Sequence, residues 1–102
     1  MSRNPTNIYP VPTPGATDQR LAVSNTSGGY QFAAFNALTV EVMFDIQGDA
    51  VMCTVDGSAP TATNGHDLPV GTRYTWSKAM ATAAKFIRKT GDATVHASEL
   101  TQ

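Results

Sequence analysis

The chain has 102 residues, enough for one domain with a single modest core and too few for a separate catalytic domain. Seven basic against eight acidic side chains leave a formal charge of −1, so the field of the whole molecule points neither to nucleic acid nor to an anionic membrane. A lone cysteine closes no internal disulfide, and the N-terminus shows no basic cluster followed by an apolar run. Together these predict a soluble protein made inside the cell and held by packing and assembly.

Residues 1–19 carry four of the six prolines. Each proline removes a backbone donor and biases its predecessor to extended geometry, so the segment reads as an arm with little helix or sheet of its own. Ile8, Tyr9 and Val11 give the arm apolar side chains to dock on its own domain or on a neighbour. Residues 20–102 are then the folded domain. RLAVS at 20–24 is a short strand before the turn cluster NTSGG. Asn25-Thr26-Ser27 fits a glycosylation pattern, which has no chemical meaning without a secretion signal.

From Leu38 to Ile46, Leu38, Val40, Val42, Phe44 and Ile46 alternate with polar residues and Met43, a period-two strand with one buried face. Gln47-Gly48-Asp49 turns the chain, and Val51, Cys53 and Val55 alternate again on one side. The two runs read as an antiparallel hairpin, with Cys53 in the core as a small hydrophobe. Residues 55–72, VDGSAPTATNGHDLPVGT, follow as a loop of three turns at Asp56-Gly57, Asn64-Gly65 and Pro69-Val70-Gly71. Tyr74 and Trp76 mark the next strand. Residues 77–89 are ambiguous: a capping Ser77, good helix formers and Gly91 suit a helix of three turns, while Phe86-Ile87 before Arg88-Lys89 suit a strand entering a tight turn, and the reading taken is a short helical turn near 78–83. Two antiparallel strands around Phe86-Ile87 and 93–99 close the domain. Six or so short strands with glycine turns predict an all-β fold, a small antiparallel sandwich or barrel.

The polar loop invites a chemical reading. Asp56, Asn64, His66 and Asp67 are too sparse for a calcium loop, and zinc has only Cys53 and the distant His96 to add. Cys53 in an apolar strand is an inert thiol, and Ser58 has no glycine-flanked nucleophile elbow around it. Asp45, Asp49 and Asp56 fall at strand ends and turns, where solvated acids are ordinary. The basic run 73–89 holds Tyr74, Trp76 and Phe86, a composition that binds single strands in some proteins; in a sandwich this small, rings fill the core. The residues therefore predict no enzyme, no metal and no cofactor. Charge is also segregated. Glu41, Asp45, Asp49, Asp56 and Asp67 precede Arg73, Lys78, Lys85, Arg88 and Lys89, which suits strand pairing within the domain or contact between complementary subunits.

Between Phe35 and Val95 the runs FNALTVEVMFDI, VMCTVDGSAPTATNGH, AAKFIR and ATVHA are arranged in a way that resembles small structural proteins of tailed bacteriophages. The likeness covers about 60 of the 102 residues. It implies a virion component, foremost a capsid cement or decoration subunit that stabilises the shell. Its partners would be the major capsid protein and copies of itself, as a homotrimer at the capsid surface. A tail, fibre or head-to-tail component is the alternative within that class. Similar Asp-Gly-Ser-x-Pro-Thr runs in sandwich modules of carbohydrate-active enzymes imply a sugar- or host-surface-binding module instead. The residues expected at contacts are Ile8, Tyr9, Val11, His66, Arg73, Lys85 and Arg88, and no catalytic residue is implied.

Overall fold

A computed structural model describes residues 13–101, with side chains from Asp18 onward. Its elements are seven strands and one helix: β1 (Thr13–Val23), β2 (Glu41–Gln47), β3 (Val51–Thr54), β4 (His66–Leu68), β5 (Arg73–Ser77), α1 (Lys78–Ala83), β6 (Lys85–Arg88) and β7 (Ala93–Thr101). The strands form two antiparallel sheets, β1-β7-β2-β5 and β4-β3-β6. Val42, Phe44, Ile46, Val95 and Ala97 from the first sheet and Val51, Cys53, Leu68 and Phe86 from the second share one buried cluster. The domain is thus a small all-β sandwich, as the alternation of apolar residues predicts.

The period-two runs identify the inward faces, and the inward-facing Cys53 and the capped helix also stand as expected. Ser77 Oγ accepts a hydrogen bond from the Met80 amide at 3.2 Å, a side-chain cap on the first turn of α1. Ala81 and Ala84 bury that end of the segment against the core.

Four expectations are corrected. The strand expected at 20–24 begins at Thr13, so the 13–19 part of the proline-rich segment pairs with β7. Residues 1–12, with Ile8, Tyr9 and Val11, lie outside the described residues. Leu38 is not on the inward row: it is 75% exposed, because Asn36 Oδ1 takes the Leu38 amide at 2.9 Å and turns the chain so that Thr39 faces in. β2 and β3 are not a hairpin. β2 is flanked by β5 and β7 and offers no free edge, so the turn at 47–50 crosses to the other sheet. β6 and β7 are split between the sheets in the same way.

The two crossing turns sit side by side and are tied to each other. The Lys89 amide donates to Ala50 O at 3.2 Å and Thr90 Oγ1 to Asp49 Oδ2 at 3.1 Å. At the opposite end α1 makes the crossing from β5 to β6. Charge segregation is partly explained inside the chain, since Asp67 pairs with Lys89 and Asp45 lies opposite Arg73 in the β2–β5 register. The remaining edge of β6 is covered by Tyr30, whose backbone exchanges hydrogen bonds with Phe86 at 2.7 and 2.8 Å.

Candidate functional site

Residues 55–65 leave β3 and return as β4, and almost every polar group in them has a local task. Asp56 Oδ1 accepts from the Ser58 amide at 3.0 Å and from Ser58 Oγ at 2.6 Å, an aspartate-led turn that Gly57 permits with a φ of 91°. Thr54 Oγ1 donates to Ser58 O at 2.6 Å, and Lys85 Nζ donates to Gly57 O at 3.1 Å. Thr61 and Asn64 close a second turn through paired backbone bonds of 3.0 and 3.2 Å. Gly65 then passes so close to β3 that a Cβ there would lie 3.1 to 3.4 Å from the Cys53 backbone, an approach only glycine makes comfortably.

That close approach creates β4, the one strand the sequence does not announce. His66 opens it, paired in register with Cys53, with its ring exposed at the rim of a depression of about 330 Å³ lined by Thr54, Asp56, Ser58, Asn64 and His66. The Ser58 bond holds the Asp56 carboxyl below the ordinary carboxylate value, with the nearby His66 adding a smaller pull in the same direction. The arrangement is a folded surface feature with an imidazole at its edge. Within it Ser58 Oγ donates to Asp56 rather than to the His66 ring, and burial pushes the Cys53 thiol up to about 12, so neither side chain is set up as an activated nucleophile here. Among the described residues, no three His, Cys, Asp or Glu side chains come together, and no helix is long and apolar enough to cross a membrane.

The contact candidates fall into two groups. His66 and Lys85 stand around the loop. Arg73 and Arg88 start β5 and end β6 at the other end of the sandwich, where Arg88 pairs with Asp92 at 2.6 Å. Tyr74 and Trp76 point inward and pack on Phe44, with ring centroids at 5.4 and 4.8 Å, so they do not form a flat exposed platform.

Sequence reasoning missed Glu99. It is 2% exposed and accepts from the Asn36 amide at 2.8 Å and Thr39 Oγ1 at 2.6 Å, pinning the 36–39 turn to β7. The signal was present: Glu99 continues the inward row of Ala93, Val95 and Ala97, where a carboxylate requires donors. Compared with known proteins, the chain matches no family model, no curated protein and no solved structure.

Proposed function

We propose that the chain is a structural protein of a tailed-bacteriophage virion, a cement subunit that binds the outer capsid surface and stabilises it by repeated modest contacts. The observation that carries this reading is that the loop resembling phage structural proteins uses its acid and hydroxyl groups on its own turns. What it presents outward is a folded shape with the His66 imidazole and the Asn64 amide at its depression, which suits a contact surface better than a reaction centre. The packing of Tyr74 and Trp76 against Phe44 weighs against the sugar-binding alternative, which needs exposed rings.

Many copies on a symmetric shell add weak contacts into strong occupancy. The partners are then the major capsid protein and further copies of this chain, clustered as trimers over local threefold axes, with residues 1–12 reaching a neighbour. Deleting residues 2–12, which leaves β1 whole, is expected to lower capsid occupancy and the temperature at which particles lose their genome. Wild-type occupancy and heat resistance in that deletion would remove the arm from the account. A tail or fibre position is the competing placement, and it predicts a few copies per particle.

A further inference from the structure

We propose that the free edge of β5 is a self-association surface that pairs antiparallel with β5 of a second copy of this chain across a twofold axis. The argument begins with which backbone groups of β5 are occupied. Ile46 N donates to Thr72 O at 3.1 Å and Lys78 N donates to Val40 O at 2.9 Å, and the register between them pairs Phe44 with Tyr74 and Val42 with Trp76. In an antiparallel ladder alternate pairs carry the hydrogen bonds, so Tyr74 and Trp76 bond to β2 while the N–H and C=O groups of Arg73 and Thr75 and the N–H of Ser77 point away from it; the Ser77 carbonyl, at the cap of α1, takes the first bond of that helix. Among the described residues nothing bonds to those outward groups. β5 is the last strand of its sheet, and α1 closes the end of the sandwich rather than this edge.

The strand also lacks the usual protections of an open edge. It contains no proline and no bulge, and its one charge, Arg73, stands at its end. The occupant follows from what antiparallel pairing centred on Thr75 brings together. Arg73 meets the partner copy's serine at position 77, so no like charges oppose each other. The two threonines at position 75 meet each other, a favourable cross-strand pair. On the inner face Tyr74 meets the partner copy's tryptophan at position 76. Both rings are only half-buried within one subunit although they pack on Phe44, and a neighbouring strand would cover the part that a single sandwich leaves open. The strand is therefore complementary to itself in hydrogen bonding, charge and apolar surface together. The contact does not rest on the virion reading. It is compatible with threefold clustering, because local twofold axes lie between local threefold axes on an icosahedral shell.

The test uses the full chain in solution. Sedimentation equilibrium over a concentration series is expected to show a mass rising to an even multiple of the chain, and amide exchange at Arg73, Thr75 and Ser77 is expected to slow as concentration rises. T75K places like charges face to face, and T75P removes an N–H that points outward, so neither breaks the β2–β5 ladder. Each is expected to weaken association by about tenfold or more with unchanged circular dichroism. High salt partly restores T75K and leaves T75P unchanged, since only the first acts through charge. A wild-type mass equal to that of both variants, an odd multiple of the chain, or exchange at these amides that ignores concentration would overturn the proposal.

Discussion

Asp56 and Asp49 show how this protein uses its acids. Asp49 is held below its ordinary value first by the Ala50 amide and then by Thr90, Asp56 first by Ser58, and Asp92 first by Arg88. In each case the charged form is the one bonded in the folded state, so the folded pKa lies below the unfolded value of 3.8. Their contribution is therefore present above that value and is lost as the pH falls through it towards the folded pKa. All three carboxylates are solvent-accessible, which keeps the effect modest through screening. Denaturant midpoints are expected to fall between pH 5 and pH 3, and D56N, which keeps an acceptor oxygen but has no charge to lose, is expected to show a smaller fall. An identical pH dependence in D56N would show that the turn around Ser58 contributes nothing through ionisation. His66, like Thr63 and Asn64, makes no side-chain hydrogen bond within this loop, and its exposed imidazole keeps it the contact candidate there.

At the scale of elements, Gly65 and the crossing turns decide the topology. With φ at 144° and the Cys53 backbone in the way, G65A is expected to cost about 1–3 kcal/mol and to loosen β4, read as faster amide exchange at Cys53 and Leu68. A denaturation midpoint unchanged from wild type would contradict the close approach. The alternation from Val42 to Ile46 and at Val51, Cys53 and Val55 says which side chains face the shared core, and the structure agrees with it; Val40 lies outside that cluster, and Met52 and Thr54 on the other face of β3 are buried as well. It does not say which strands are neighbours, because Val42 and Phe44 face Val51 and Cys53 equally well across a sandwich as beside them in a hairpin. The short turn of α1 was partly readable because its signals are local, a Ser77 cap and good helix formers, while its extent against the following strand was not. β4 was not, because its existence depends on backbone contact between Gly65 and Cys53 rather than on any pattern in His66-Asp67-Leu68. Leu38 was misplaced because one Asn36 side-chain bond outweighs a residue's apolar character at the mouth of a strand.

Among the described residues, the sandwich turns most of its acid groups to its own construction. Phe44 gathers Phe32, Tyr74, Trp76 and Phe86 around it at centroid distances of 4.8 to 5.9 Å, Glu99 anchors a turn, and the conspicuous polar loop is an ordered connection. Under the proposed virion role, such a domain would offer its edges, turns and surfaces to other virion proteins. The proposed virion role is tested most directly by quantitative mass spectrometry of purified phage particles, measuring this chain relative to the major capsid protein. The account predicts on the order of hundreds of copies per particle, retained on isolated heads. Absence of the chain from purified particles would contradict it.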